Sequence, residues 1–264
     1  MVDYARIDAL KLAGAEDSPK SAFIDAANDF VYFGCMTSPG RVAKLRLTDF
    51  TEIATLILAA GENNLYSAVF DPDNGYAYFG TDTTPGKVVK IRLSDFTRVG
   101  SITLAAGEDS PLSAVFDPDN GYAYFGCNTS PGKVVKVRFS DFTEVATLTF
   151  AAGEDYVRSA VIDTANGFAY FGLNISPGKI VKVRLSDFTK VATLPLAANE
   201  NDPDSAVIDT ANGYAYFGCM TSPGKIVKVR LSDFTRVDSI TLATGGFSQR
   251  YGYRYSQRLC LFRL

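Results

Sequence analysis

Five glutamates occupy the same position of a repeat that recurs every 46 residues, and they are the side chains with the clearest chemical potential in this sequence. The set comprises Glu16, Glu62, Glu108, Glu154 and Glu200. Carboxylates that converge from several loops can hold a divalent cation, bind a cationic ligand or carry out acid–base catalysis. We therefore predict a ligand-binding face at these glutamates, suited to a small cationic ligand, a divalent cation or a basic patch on an unknown protein.

The loops that carry these glutamates differ from repeat to repeat, although the segments between them are nearly unchanged. They read AEDSPK, GENNLY, GEDSPL, GEDYVR and NENDPD, at residues 15–20, 61–66, 107–112, 153–158 and 199–204. A rigid scaffold that carries a variable binding face produces this pattern. Neutral drift produces it too, because loops tolerate change, and both interpretations stay open. Local pairing of the glutamates with nearby basic residues is a further alternative.

Other catalytic and metal-binding chemistry has little support. The chain has no histidine, which excludes Ser-His-Asp and Cys-His nucleophilic systems, and it has no CxxC spacing for a zinc site. Residues 71–75 and 117–121 read DPDNG and resemble the start of a calcium loop, but that loop needs a Glu at its twelfth position. We predict no catalytic residue, no metal site in these turns, and no cofactor beyond a divalent cation at the glutamates.

Each repeat also carries a lysine and an arginine two residues apart on one predicted strand. An arginine that is partly covered by neighbouring sheets needs a carboxylate partner, and one aspartate recurs in each repeat. We predict structural ion pairs between these two sets, with an anion-binding basic ring as the alternative. The arginines are Arg46, Arg92, Arg138, Arg184 and Arg230, and the aspartates are Asp25, Asp71, Asp117, Asp163 and Asp209.

Two further repeated positions are interpreted as structural. Ser-Asp-Phe or Thr-Asp-Phe recurs in every repeat, and we expect its aspartate to accept backbone N–H bonds in a hairpin while its phenylalanine packs between adjacent sheets. Cys35, Cys127 and Cys219 share one position in alternate repeats. Cysteines in alternate repeats should lie too far apart for a disulfide, which needs Cα atoms within ~7 Å. We therefore expect these residues to be small buried thiols.

The repeat itself predicts the fold. Its five units run 21–66, 67–112, 113–158, 159–204 and 205–250 without insertions. In the second unit, an apolar segment at 67–70, an aromatic segment at 76–80 and alternating segments at 87–93 and 98–104 are separated by turn sequences. Four antiparallel strands leave no room for a useful helix, and radially arranged four-stranded sheets make an all-β propeller. A β-helix would need shorter coils and parallel strands.

The two ends of the chain predict one more sheet. Residues 3–12 align with the outermost strand of a unit, so residues 1–20 supply the outer strand and loop of a closing blade, and residues 251–264 read as a degenerate partial repeat. We predict a single β-propeller domain over residues 1–264, with six blades of which the last is irregular. A five-bladed ring and an open array are the alternatives.

Composition limits the partners. With 26 basic and 29 acidic residues, the net charge of −3 gives no electrostatic case for nucleic acid. No apolar run approaches the ~20 residues that a membrane helix needs, and the N-terminus does not read as a signal peptide. We expect a monomer that is cytoplasmic by default, or secreted or on the cell surface if the sequence belongs to a longer protein.

The repeats resemble a known group. The phrase SAVIDTANGYAYFG followed by GKIVKVRLSDFTRV is similar to the YVTN-type and related bacterial and archaeal propeller repeats, although YAYFG stands in place of the YVTN segment. The resemblance covers nearly the whole chain. It implies a β-propeller fold and a surface module, a binding scaffold or, less commonly, an enzyme.

Three functions are compatible with these patterns. The first is a non-catalytic binding or interaction scaffold that uses the acidic inter-blade loop face. The second is an enzyme of the hydrolase or lactonase kind, with a metal held by carboxylates at the central channel. The third is a recently duplicated repeat protein or fragment with no evolved ligand.

Overall fold

The computed structural model describes residues 10, 12 and 16–243, and this part is an all-β propeller-type structure. Twenty strands form five four-stranded antiparallel sheets, and every sheet takes its strands in chain order. The predicted fold class is therefore confirmed. We number the sheets as blades 1 to 5, with the first strand of each blade innermost. Within the described residues, no helix is long and apolar enough to cross a membrane.

The strand bounds follow the repeat closely. Blade 1 consists of β1 Pro19–Asp25, β2 Phe30–Cys35, β3 Arg41–Arg46 and β4 Glu52–Ile57. Blade 2 consists of β5 Leu65–Asp71, β6 Tyr76–Thr81, β7 Lys87–Arg92 and β8 Thr97–Thr103. Blade 3 consists of β9 Pro111–Asp117, β10 Tyr122–Cys127, β11 Lys133–Arg138 and β12 Thr143–Thr149. Blade 4 consists of β13 Val157–Asp163, β14 Phe168–Leu173, β15 Lys179–Arg184 and β16 Thr189–Pro195. Blade 5 consists of β17 Pro203–Asp209, β18 Tyr214–Cys219, β19 Lys225–Arg230 and β20 Thr235–Thr241.

The first hairpin of each blade is fixed by its Asx chemistry. In blade 2, the Asp71 carboxylate accepts hydrogen bonds from the backbone N–H of Asn74 (3.2 Å) and from its side-chain amide (3.0 Å). Gly75 follows with φ of 69°, a left-handed conformation that glycine adopts without a steric penalty. The Asp71 carboxylate and Gly75 therefore fix the turn that joins β5 to β6.

The apolar core lies between blades, because at each boundary one face of a sheet packs against a face of the next sheet. Tyr78 of blade 2 is buried, and its ring stacks on Phe139 of blade 3 with centroids 3.6 Å apart. Phe142, from the Ser-Asp-Phe segment of blade 3, lies 5.5 Å from the same tyrosine ring. The expected packing of this phenylalanine between sheets is thus observed.

The innermost strands are joined by a serine in each repeat. Ser67 Oγ of β5 donates a hydrogen bond to the carbonyl of Pro111 in β9 (2.7 Å). The same contact recurs from Ser21 to Leu65 and from Ser159 to Pro203. Gly80 leaves the space for it, because a Cβ at that position would overlap both Ser67 Oγ and the Pro111 carbonyl. The invariant Ser and Gly positions therefore hold successive blades in register.

Cys35, Cys127 and Cys219 are buried and free, as their common position indicates. Burial raises the pKa of Cys35 to about 11 and that of Cys219 to about 12, because the thiolate is the poorly solvated form. These thiols are therefore protonated and unreactive at neutral pH.

The predicted sixth blade falls on residues 3–12 and 245–264, which lie outside the described residues except for Leu10 and Leu12.

Candidate functional site

The repeated glutamates are buried at the blade boundaries. Glu62 lies in the loop between blades 1 and 2 and accepts a hydrogen bond from the backbone N–H of Ala59 (3.1 Å). Arg98, on the outer strand of blade 2, donates to it from Nε (2.7 Å) and from its second terminal nitrogen. These hydrogen bonds outweigh burial and keep the pKa of Glu62 below its ordinary value. Each such glutamate thus links its loop to the next blade.

Glu108, Glu154 and Glu200 repeat the loop contact, and the side-chain partner varies among the glutamates. Glu154 pairs with Lys190 (2.8 Å) and Glu200 with Arg236 (2.8 Å), whereas Glu16 pairs with Arg41 (3.5 Å). Glu108 has no basic partner at this position, because the equivalent of Arg98 in blade 3 is Glu144. Thr147 donates to Glu108 instead (2.6 Å). Burial and the adjacent Glu108 carboxylate raise the pKa of Glu144.

The glutamates are divided among the blade boundaries. Four of them accept hydrogen bonds from a loop N–H group and from a neighbouring side chain, namely Glu62, Glu108, Glu154 and Glu200. The use of these glutamates by a ligand stays a prediction. Among the residues that the structure describes, no group of three or more His, Cys, Asp or Glu side chains could hold a metal ion. One feature of the sequence indicates these ion pairs, namely the interval of 36 residues between Glu62 and Arg98. The same interval separates Glu154 from Lys190 and Glu200 from Arg236.

The structure corrects the predicted arginine–aspartate pairs. Arg92 pairs with Asp95, three residues further on, through a bidentate contact with distances of 3.0 and 2.6 Å, and both side chains are close to half exposed. The pairs are Arg46–Asp49, Arg92–Asp95, Arg138–Asp141, Arg184–Asp187 and Arg230–Asp233. The aspartates predicted as partners, Asp25, Asp71, Asp117, Asp163 and Asp209, instead bind the turn asparagines. The nearer carboxylate is favoured because a hairpin places it beside the arginine.

The repeated lysine lies among aromatic rings. Lys90 Nζ is 4.0 Å from the centroid of Tyr76 and 5.6 Å from that of Phe142 in the next blade. Burial lowers the pKa of Lys90, and the nearby Asp71 carboxylate opposes that shift. Cation–π contacts of this kind stabilise a partly buried ammonium group. These lysines are therefore part of the packing between blades, so the alternative of an anion-binding ring has no support in this geometry.

A cavity of about 740 Å³ lies along the innermost strands. The Ser-Ala dipeptide that begins each unit recurs along the wall of this cavity. These residues are small and identical in every unit, so they cannot by themselves give the wall specificity for a ligand. The wall residues are Ser21, Ala22, Ser67, Ala68, Ser113, Ala114, Ser159, Ala160, Ser205 and Ala206. A volume of this size falls within the range of ligand pockets in proteins, roughly 300–1,000 Å³.

The residue immediately before each Ser-Ala pair also lines this cavity, and we call these five residues the crown. They lie where the inter-blade loops enter the innermost strands. The crown comprises Lys20, Tyr66, Leu112, Arg158 and Asp204. The five residues are all of different types and comprise two basic, one acidic, one aromatic and one aliphatic side chain, although the wall residues beside them are invariant. The glutamates that the sequence predicts as binding residues occupy the invariant position of each loop, whereas the crown residues occupy a position that differs in every repeat.

Three contacts hold crown residues against neighbouring blades. Lys20 Nζ lies 5.5 Å from the Tyr66 ring centroid, and the Tyr66 hydroxyl is 3.2 Å from the sulfur of Met36. Arg158 Nε donates to Oδ1 of Asn128 (3.0 Å). Each contact joins a crown residue to an adjacent blade, which orients these side chains at the mouth of the cavity.

Solved structures with the same architecture are β-propellers. One, described as the structure of U3-55K, aligns with a TM-score of 0.72 and 10% identity over 87% of this chain and 66% of its own. Another, described as the crystal structure of RRP9 WD40 repeats, aligns with a TM-score of 0.71 and 11% identity over 87% and 65%. The chain spans slightly less than two thirds of the length of these propellers. No family profile and no curated protein matches the sequence.

Proposed function

We propose that this protein is a non-catalytic interaction scaffold and that the crown binds an extended peptide segment of a partner protein. The observation that supports the proposal is the contrast between an invariant Ser-Ala wall and five chemically different side chains at the mouth of one cavity. A scaffold conserves what positions its blades and diversifies what meets the ligand. Its architecture is shared with WD40-repeat propellers.

The chemistry of the crown favours a peptide over a small cation. Lys20 and Arg158 supply two positive charges, Asp204 supplies one negative charge, and Tyr66 supplies aromatic surface, whereas Leu112 is buried and adds little surface of its own. A ligand that combines an acidic group with apolar side chains satisfies this set, and aromatic and arginine residues commonly dominate the energetics of such contacts. Asp204 is thus the one acidic residue of the inter-blade loops that belongs to the proposed binding site.

We further propose that the repeat is a relative of the YVTN-type propeller repeats. The support is the regular order of an aspartate-terminated strand, a short turn and an aromatic strand, which recurs in all five blades. That relationship is compatible with a surface module or a binding scaffold.

The experiment is a selection of random peptides displayed on phage against the full chain. We expect enrichment of peptides that carry acidic and apolar residues. The substitutions Tyr66→Ala, Arg158→Ala and Asp204→Ala, combined in one variant, should weaken binding of the enriched peptides by roughly tenfold or more. The matched control combines Asp73→Ala and Asp119→Ala, two exposed turn residues at the opposite ends of the innermost strands, and should leave binding unchanged.

Two results would count against the proposal. Enriched peptides that bind the crown variant as tightly as the parent would place binding elsewhere. Failure to enrich any peptide, with a properly folded protein on the support, would contradict a peptide-binding role.

A further inference from the structure

The crown residues share one backbone feature, because each is the extra residue of a β-bulge at the start of an innermost strand. In blade 4, Val157 pairs with Leu173 and Ser159 pairs with Gly172, so Arg158 has no counterpart of its own on β14. The same shift of register occurs in the other four blades. A bulge re-aims a side chain and is common beside functional sites. The fold therefore brings one side chain of every blade to the cavity in the same way.

Arg158 is the crown residue whose orientation is fixed most clearly. Its Nε donates to Oδ1 of Asn128 (3.0 Å). Asn128 is itself held, since its backbone N–H donates to the carbonyls of Asp109 (3.1 Å) and Ser110 (3.0 Å). Within residues 16–243, the two terminal nitrogens of Arg158 have no hydrogen-bond partner. A guanidinium anchored in this way keeps donors that match the two oxygens of a carboxylate.

Tyr156, two residues before Arg158, is an unusual residue for its backbone position. Its φ is 58°, and the equivalent residues Ser18, Asn64, Ser110 and Asp202 also have positive φ. Asparagine and aspartate adopt this conformation readily, whereas a bulky side chain incurs a steric penalty. The Tyr156 side chain is 40% exposed, so burial offsets only part of that penalty. Local strain that packing does not explain is common at functional positions.

The loop that carries Tyr156 is held in place before any ligand binds. The Tyr156 N–H donates to the carbonyl of Thr129 (2.9 Å), and the Tyr156 carbonyl accepts from the N–H of Asn174 (2.9 Å). Beside it, Ser130 Oγ donates to Oδ1 of Asp155 (3.0 Å). These contacts join the loop to blades 3 and 4. A site whose groups are already ordered loses little conformational freedom on binding.

The charges near Arg158 favour a carboxylate over a phosphate group. Arg158 is the one basic residue of its loop, and Asp155 in the same loop and Asp204 in the next crown position are acidic. Lys20, the other basic crown residue, lies in blade 1 beside the ring of Tyr66. A phosphate group carries close to two negative charges at pH 7 and is best bound by a cluster of cations. One guanidinium matches the single charge of a carboxylate.

We infer that Arg158, Tyr156 and Asn128 form a subsite of the crown that takes a carboxylate with an apolar group beside it. We call it the carboxylate subsite. It rests on the proposed function, because the carboxylate belongs to the bound peptide, either as its C-terminal group or as an acidic side chain. Arg158 binds the carboxylate, Tyr156 contacts the adjoining apolar group, and Asn128 positions the guanidinium.

The test uses small probes and the ¹⁵N-labelled full chain, followed by NMR titration. N-acetylphenylalanine presents a terminal carboxylate, and N-acetylaspartic acid α-methylamide presents a side-chain carboxylate. We expect these probes to shift the resonances of the Arg158 Nε–H and the Asn128 side-chain amide. The neutral N-acetylphenylalaninamide should bind at least roughly tenfold more weakly, because it cannot form the charge-assisted pair. The tighter of the two carboxylate probes identifies the source of the carboxylate.

Three variants test the roles of the residues. Arg158→Lys keeps the charge but loses the fork and should weaken N-acetylphenylalanine by roughly three- to tenfold. Asn128→Met, the natural residue in blades 1 and 5, should give a similar loss with the arginine intact. Tyr156→Ser, the natural residue before blades 1 and 3, should weaken this probe by about threefold and yet raise the urea midpoint, because it relieves strain. Arg184→Gln, at the opposite end of blade 4, is the control and should leave binding unchanged.

Several results would overturn the inference. These are titrations that leave Arg158 and Asn128 unshifted, equal binding of the neutral amide, tighter binding of phenyl phosphate than of either carboxylate, and unchanged binding by Arg158→Lys. If Arg158→Lys does not fold, Asn128→Met and the shifts in the parent decide. Carboxylate binding without any enriched phage peptide would contradict the proposed function alone. Enriched peptides that bind Arg158→Lys as tightly as the parent would overturn the carboxylate subsite alone.

Discussion

At the scale of single residues, the blade boundary depends on one carboxylate and on the side chain 36 positions later. Glu62, Glu154 and Glu200 meet a basic side chain, but Glu108 meets Glu144. Buried carboxylates need paired charges or hydrogen bonds. Two carboxylates at one boundary therefore oppose folding at neutral pH. A substitution at this boundary should raise the stability of the protein more easily than one at the others.

We expect Glu144→Arg to stabilise the protein by about 1–2 kcal/mol at pH 7, because it replaces a repulsive contact with the ion pair seen at Glu62. Glu144→Gln removes the repulsion without adding a pair and should stabilise less. The raised pKa of Glu144 predicts that the parent gains stability as the pH falls through that pKa towards its ordinary value of 4.5. Urea unfolding at pH 7 and pH 4.5 checks both points, and a destabilised Glu144→Arg variant would refute them.

Glu200 should give the opposite pH dependence. The hydrogen bonds from Arg236 lower the pKa of Glu200 to about 2, from an ordinary value of 4.5. Its stabilising contribution is present above pH 4.5 and is lost as the pH falls towards 2, by ~3 kcal/mol at most. Glu200→Gln should lower stability at pH 7 and flatten the acid limb of the stability curve. An acid limb that is unchanged in the variant would show that this pair is not formed in solution.

At the scale of strands and hairpins, the sequence was a sufficient guide. The segments predicted at 76–80 and 87–93 are strands at Tyr76–Thr81 and Lys87–Arg92, because alternation and turn residues act locally. The partner of each charged side chain was not predictable in the same way. Arg92 was expected to pair with Asp71, but Asp71 is held by Asn74 within its own turn. The crown was missed because its five residues converge only through the propeller geometry.

The close approach of innermost strands predicts a difference between two glycines of blade 2. Gly80→Ala should destabilise the protein by roughly 2–4 kcal/mol, because the new methyl group overlaps Ser67 Oγ and the Pro111 carbonyl. Gly100→Ala, in the outer strand β8, meets nothing within 4 Å and should be neutral or slightly stabilising. Thermal and urea unfolding of the two variants compare the same change in two environments. Equal effects would mean that the innermost strands are further apart than described.

At the scale of the whole molecule, identical blades make burial depend on position in the array. A repeat protein gains stability from each repeat and from each boundary between neighbours. Blades 2 to 4 have two such boundaries within the described residues, whereas blades 1 and 5 each have one. Equivalent residues along the chain therefore report directly whether the array has free ends.

Leu196 and Leu242 make this comparison with one pair of substitutions. Leu196→Ala removes a buried side chain and should cost about 2–5 kcal/mol. Leu242→Ala should cost less, within about 0.5 kcal/mol, because the Leu242 side chain is 41% exposed. Urea unfolding of the two variants measures the difference. A cost for Leu242→Ala as large as that for Leu196→Ala would mean that Leu242 is buried in solution.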